Sequence, residues 1–384
     1  MKYLRKFDSV SEMNTALASS EISILGLAYN NGTPVINNKK IIPPDPTVPF
    51  YVENITNNNE TLTIKTRYWQ EPGFLIEKST DGSIWSSLGT TSSTPLTETL
   101  APGAKLYLRA TTNAWGQMNM ETSIKGMSKV GGNIMSLLYG SSFTGNETTF
   151  PSDSMFNFSC LFYDNEDINR NLVDASQLVL PATTLTRGCY QQMFDGCTSL
   201  TATPALPATT LAEGCYGKMF YQCTSLTTAP ALPATSLSSA CYNSMFWGCT
   251  ALTTAPALPA TTLAYGCYNS MFDGCTALTT APALPATTLA ESCYSDMFNS
   301  CTALTTVPEL PATTLTDGCY NCMFWGCTNL NYIKCLATDI SASQSTNNWV
   351  RNVAASGTFV KDSNMLSWTT GNNGIPSGWT VEDA

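Results

Sequence analysis

Cysteine is the reactive residue of this chain: there are 15 of them, against no histidine among 384 residues. Most fall in two columns. Cys189, Cys215, Cys241, Cys267, Cys293 and Cys319 follow one another at a step of 26, and Cys197, Cys223, Cys249, Cys275, Cys301 and Cys327 keep that step. Such thiols could ligate a metal, form disulfides or do redox chemistry. Metal binding is disfavoured, because Cys-x7-Cys is not a zinc-ligand spacing and no imidazole completes a set. Cys319 and Cys322 make a Cys-x-x-Cys in one copy alone, a weak redox or metal signal. A bridge within one unit would have to cross eight helical residues, ~12 Å, beyond the ~7 Å limit. Helices in neighbouring units pack ~8–10 Å apart, again too far. The columns therefore read as small apolar core side chains. Cys160, Cys322 and Cys335 stand off the columns with no role. The missing histidine also removes the commonest general base. Paired carboxylates could cleave a glycan, but Asp195, Asp273, Glu213 and Glu291 fall on a stripe expected to face solvent. The sequence thus points away from an enzyme, a resident metal or a cofactor.

The elements that carry these residues come from a tandem unit. Pro181, Pro207, Pro233, Pro259, Pro285 and Pro311 repeat with the cysteines. A fixed step of 26 residues without insertions predicts a solenoid of stacked units. Within one unit the apolar positions Leu211, Cys215, Met219, Phe220 and Cys223 suggest one face of a helix. Leu226 to Ala229 is short and Thr-rich, with strand character, and Pro207 and Pro230 bound the two parts. Roughly eight inward side chains at ~1.5–3 kcal/mol each cannot offset ordering of one unit's backbone, which costs on the order of 26–52 kcal/mol. The array must therefore be cooperative. Adding one step to the last full copy puts Trp349 at the place of Met323, Val350 at that of Phe324 and Val353 at that of Cys327: a degenerate seventh copy. Trp368 and Trp379 are expected to finish the C-terminal cover. Leu161-Phe162, 32 residues before Met193-Phe194, predicts a distorted first copy upstream.

The copies differ where a helix would face outward. One varied column reads Arg187, Glu213, Ser239, Tyr265, Glu291, Asp317, and another reads Asp195, Tyr221, Trp247, Asp273, Asn299, Trp325. Drift on a solvated face would explain much of this. Exposed aromatics in a row are unusual on such a face, however. Tyr221, Trp247, Tyr265 and Trp325, with Arg187, Asp195 and Asp273, are the candidate recognition surface. The Thr pairs, such as Thr227-Thr228 and Thr253-Thr254, are uniform and suit a glycan or plain solvation equally.

The N-terminal half lacks the repeat. Residues 9–18 read as a short helix, and Pro43-Pro44-Asp45-Pro46 as a stiff linker. Alternation at Leu62, Ile64, Thr66 and Tyr68 and the Asp81-Gly82 turn signal predict a small antiparallel β-sandwich, Ig-like, over 50–128. Residues 1–42 are too few for a core and too apolar for a free tail, so they are expected to dock on something larger or on copies of themselves. Charged residues are only 12% and the net charge is −10. That disfavours nucleic acid or an anionic membrane as partner. No apolar run is long enough to span a bilayer. The opening Met1-Lys2-Tyr3-Leu4-Arg5-Lys6 lacks a hydrophobic signal region, which predicts cytosolic folding with reduced thiols.

The unit Leu-Pro-Ala-Thr-Thr-Leu-x3-Cys-Tyr-x2-Met-Phe-x2-Cys-Thr-x-Leu-Thr resembles the BspA-like leucine-rich repeats, over about 178–353. These occur in surface proteins of gut Bacteroidales and their phages. The tail from Gly357-Thr358-Phe359-Val360 to Ser377-Gly378-Trp379 is similar to that family's ending. The opening Lys6-Phe7-Asp8-Ser9-Val10-Ser11-Glu12-Met13-Asn14 is similar to the first residues of virion structural and fibre proteins of crAss-like phages. The resemblance implies a multidomain protein: an N-terminal anchor and linker (1–49), the β-sandwich (50–128), a solenoid cap (129–177), an α/β leucine-rich-repeat solenoid (178–353) and a C-terminal cap (354–384). It implies a phage fibre or capsid-decoration protein, located in the virion. Residues 1–42 would be held by virion proteins, the repeats would bind a bacterial surface glycan or protein, and the chain would be a homo-oligomer, a trimer by resemblance. A bacterial cell-surface adhesin of the same family is the alternative.

Overall fold

The computed structural model describes residues 27–30, 33–36, 43–66, 74–91, 94–110, 122–150, 155–163, 171–366 and 368–384. Residues 1–44 make one compact unit and residues 45–384 another. In the first, strands β1 (Leu27–Asn30) and β2 (Thr33–Ile36) pair antiparallel, with Leu27 opposite Ile36. The helix expected over 9–18 lies outside the described residues.

The second unit is built almost wholly of β-strands and turns. In chain order the strands are β3 (Tyr51–Glu53), β4 (Glu60–Thr66), β5 (Leu75–Ser79), β6 (Ser86–Thr90), β7 (Leu96–Leu100), β8 (Lys105–Ala110), β9 (Thr122–Lys125), β10 (Lys129–Asn133) and β11 (Asp174–Val179). A six-stranded sheet runs β11-β10-β3-β8-β5-β6, and a three-stranded sheet runs β7-β4-β9. Alternation makes this layer: Leu62 and Ile64 of β4 turn inward while Thr61 faces solvent, and Ile76, Leu106 and Leu108 come from the other sheet. The predicted hairpin joins β5 to β6, its turn held by Asp81 Oδ1, which accepts from the Ser83 and Ile84 amides at 2.8 and 2.9 Å. The sheet does not stop at residue 128. Strand β10 pairs antiparallel with β3 and parallel with β11. Beyond β11 the ladder passes into the repeats, through Asp174 and Ala202. The only α-helix among the described residues of this unit is the single turn α1 (Ser136–Tyr139).

The expected helices of the repeat are absent among the described residues. From Gly214 to Cys223 the backbone instead runs as overlapping turns with two alternating kinds of hydrogen bond. The amides of Cys215, Gly217, Met219, Tyr221 and Cys223 donate to the carbonyl three residues back. Those of Gly214, Tyr216, Lys218, Phe220 and Gln222 donate to Ser239, Cys241, Asn243, Met245 and Trp247 of the next copy, at 2.7–3.0 Å. A helix would keep every amide within the segment. Here half of them join neighbouring copies, and each such bond contributes about 0.5–1.5 kcal/mol net. The geometry needs a left-handed residue at every fourth position. Gly214, Lys218 and Gln222 sit at φ +60°, +55° and +54°, and their equivalents Gly266, Ser270 and Gly274 at +54°, +53° and +73°. The expected strand over 226–229 reduces to one parallel bridge per copy, Thr228 to Thr254 to Thr280 to Thr306 to Tyr332.

Side chains then stack on their own equivalents. Tyr216, Tyr242 and Tyr268 lie with ring centroids 5.9 and 5.8 Å apart. Phe220, Phe246 and Phe272 do so at 5.6 and 5.7 Å. Both cysteine columns are buried and free. The helix-packing reason for excluding bridges between copies does not hold, because copies joined by hydrogen bonds lie about 4.8 Å apart. The second column is turned to another partner: the S–H of Cys249 reaches Phe220 O at 3.1 Å, and those of Cys275, Cys301 and Cys327 reach Phe246 O, Phe272 O and Phe298 O at 3.1, 3.1 and 3.0 Å. The hydroxyls of Tyr190, Tyr216 and Tyr242 are buried with no hydrogen-bond partner. A buried donor left unpaired costs ~1–3 kcal/mol. Tyr216→Phe is therefore expected to leave the unfolding midpoint unchanged or raised in a urea titration; a clear fall would mean that this hydroxyl has a partner.

Both ends of the stack are covered. The distorted first copy is present: Phe158 stacks on Tyr190 at 6.1 Å, Phe162 on Phe194 at 5.0 Å, and Phe50 of β3's approach closes that column against Phe162 at 6.3 Å. At the other end the seventh copy repeats the left-handed positions at Gln344, Asn348 and Asn352. Trp349 stacks on Tyr320 and Trp368. The last strands, β12 (Tyr332–Cys335), β13 (Thr358–Lys361) and β14 (Thr380–Asp383), form a parallel sheet beside it.

Candidate recognition surface

Because each copy lies one ladder step from the next, a varied position becomes a row of neighbouring side chains. Asp195, Tyr221, Trp247, Asp273, Asn299 and Trp325 form such a row, and Arg351 continues it into the seventh copy. Tyr221 and Trp247 stack face to face, 4.5 Å between centroids and 5° between planes. Lys218 Nζ stands 5.6 Å from the Tyr221 ring centre, and the Arg351 guanidinium 4.9 Å from that of Trp325. Such cation–ring contacts contribute ~0.5–1 kcal/mol at exposed sites. Along the row, Tyr221 and Trp247 cover one face of each other, and cations stand over the rings of Tyr221 and Trp325.

The sequence-predicted members divide. Tyr221, Trp247, Asp273 and Trp325 are partly exposed on this row. Asp195 departs from its expected place in solvent: it is buried, with Gln192 Nε2 donating to its Oδ2 at 2.9 Å. Tyr265 is 57% exposed and belongs to the other column, as does Arg187, which pairs with Glu213 at 3.1 Å. Burial raises the Asp195 carboxyl to about 6, against the opposing pulls of Gln192 and Lys218. Burial likewise lifts Asp273 to about 6; a hydrogen bond from Trp247 opposes the rise and Asp296 adds to it. A carboxyl held above its unfolded value stabilises the fold while protonated, so this contribution is present at acidic pH and lost as pH rises through about 6. Asp195 and Asp273 are three copies apart, about 14 Å on a ladder of this spacing, too far for the two carboxyls of a glycosidase.

Lys218 and Arg351 escaped sequence reasoning. Arg351 falls one step after Trp325 and could have been found by extending the column into the degenerate copy. Lys218 occupies a left-handed turn position, invisible while the segment reads as a helix. Off the columns, Cys322 is buried beside Asp296 and Arg351, and burial pushes its thiol up to about 11. Cys335 lies on β12 and Cys160 in the first copy, both buried. Among the described residues no group of His, Cys, Asp or Glu is arranged to hold a metal ion. No helix among them is long and apolar enough to cross a membrane.

Fold and surface together define a β-rich repeat protein, its copies hydrogen-bonded in register around stacked aromatic and thiol columns. Compared with known protein families, curated proteins and solved structures, the chain matches none.

Proposed function

We propose that this chain is a non-enzymatic adhesion protein, a phage virion fibre or capsid-decoration protein whose repeats bind the bacterial surface. In this reading the copies wind as a solenoid of the BspA-like leucine-rich-repeat kind, with turns in place of helices. Residues 1–42 attach the chain to other virion proteins, and the protein works as a homo-oligomer. The observation that carries the reading is the row from Tyr221 to Arg351. Where many other exposed positions are Thr, Ser or Asn, this row holds large aromatic rings flanked by cations, the residue types that concentrate binding energy at interfaces. Nothing in the packing requires them: the equivalent positions in other copies are Asp195, Asp273 and Asn299.

The test is the triple variant Tyr221→Ser, Trp247→Ser, Trp325→Ser in the full chain, with adsorption of labelled protein to Bacteroidales cells as readout. Adsorption is expected to fall roughly tenfold or more, as loss of two or more interface anchors of ~1–2 kcal/mol implies. Unchanged adsorption by a folded variant would refute the role of the row. Recovery of the protein from the envelope of uninfected cells, rather than from particles, would favour the bacterial adhesin instead.

A further inference from the structure

The stacked pair has a carboxylate on each side. Asp195 is the position one copy before Tyr221, and Asp273 the position one copy after Trp247. Neither is an open surface acid. Asp195 is 6% exposed and Asp273 is half-buried, so each already has much of its hydration removed. Their neighbours do not neutralise them as a salt bridge would. Around Asp195 stand Gln192 on its own copy and Lys218 on the next, with Tyr221, Cys197 and Cys223 feeling its charge. Around Asp273 stand Trp247 and the like-charged Asp296, with Tyr221 and Cys275 close by. Its field also reaches Cys301, Cys322 and Cys327, all held as neutral thiols by burial.

We propose that Asp195 and Asp273 gate docking onto the Tyr221–Trp247 pair by protonation: neutral carboxyls leave the row apolar enough to be covered by a partner, and ionised ones hold water against it. The inference rests on the reading of this row as the docking surface. Covering an ionised carboxyl removes its remaining hydration, which is far more costly than covering a neutral one. Burial lifts each carboxyl to about 6, so both change charge between acidic and neutral pH. Above that point each carboxyl must take up a proton before it is covered, and the protonated share falls about tenfold per pH unit.

Two measurements on the full chain test this. In the first, the indole N–H of Trp247, assigned by loss of its signal in Trp247→Phe, is followed by nitrogen-resolved NMR across the acidic to neutral range. Its shift is expected to inflect near 6 and to lose that inflection in Asp273→Asn, while the indoles of Trp349 and Trp379, bonded to Gly374 O and Ala354 O, stay flat. A flat Trp247 signal, or an inflection that survives Asp273→Asn, overturns the gate. In the second, adsorption to Bacteroidales cells is compared at about pH 5 and about pH 7.5, for the wild type and the Asp195→Asn, Asp273→Asn double variant. The wild type is expected to bind at least about tenfold more weakly at the higher pH, and the double variant equally at both. Equal wild-type adsorption at both values overturns the gate and leaves the docking surface standing. No adsorption at either value removes the docking surface and the gate with it.

Discussion

Trp349→Ala is expected to be the most destabilising single substitution at the C-terminal end of the stack, costing about 3–5 kcal/mol. Trp349 is fully buried. Its ring lies on Tyr320 at 6.1 Å and Trp368 at 5.6 Å, and meets Phe324 and Phe359 at 6.1 Å each. Its indole N–H donates to Gly374 O at 2.8 Å. Truncation removes the ring that spans the ends of both the Tyr and Phe columns and leaves that carbonyl without its donor. The loop carrying Gly374 is packed against Thr369, where a Cβ on Gly374 would overlap the Thr369 carbonyl oxygen. The loss is a large share of the ~5–15 kcal/mol that stabilises a typical domain. An uncovered stack end is also a surface for association. Urea unfolding monitored by circular dichroism measures the loss, with Trp325→Ala as control, since Trp325 lies on the outer row and closes nothing. A midpoint shift for Trp349→Ala no larger than that of the control would contradict the closing role.

The thiols should be silent in the folded protein and reactive in the unfolded one. All 15 are buried, and none forms a disulfide. Burial pushes Cys249 and Cys327 up to about 12 and Cys275 and Cys301 well above the free value. Only the thiolate attacks a disulfide reagent, and a rise of about three units lowers its share at neutral pH roughly a thousandfold. Titration with an aromatic disulfide reagent should detect essentially no native thiol over minutes and the full set in denaturant. Cys322 should lead any slow native reaction, being 8% exposed and raised only to about 11. Several native thiols reacting at once would show that the columns are open to solvent.

Much of this was legible in the chain itself. The step of 26 residues placed the buried Cys, Met and Phe columns and the degenerate copy at Trp349; the distorted one at Phe162 came from a Leu-Phe pair 32 residues before Met193-Phe194, and the buried Tyr column was not read as core. Identical units must bury identical positions, so the repeated apolar positions identify the core. Alternation at Leu62 and Ile64 and the Asp81-Gly82 turn gave the β-layer its strands for the same reason: a strand's side chains switch faces at each residue. The local backbone was misread because Leu211, Cys215, Met219 and Cys223 look like a helical face. Their spacing is four at every step, however, and a helix of 3.6 residues per turn would rotate such a series by about 40° each time. Four-residue turns keep it in line. The candidate surface was half legible: the varied columns marked it, but not the burial of Asp195 or the cations on its rings.

The sequence by itself determined what is inside and how often it recurs, because a repeat's period and its apolar positions are properties of the chain alone. Tertiary structure decided where the amides of each copy go. Half of them find carbonyls 25 residues onward, a choice that no single unit can make before its neighbour is in place. That choice replaced helices with turns. By bringing equivalent residues within one ladder step, it also turned scattered variation at Tyr221, Trp247, Trp325 and Arg351 into one continuous surface.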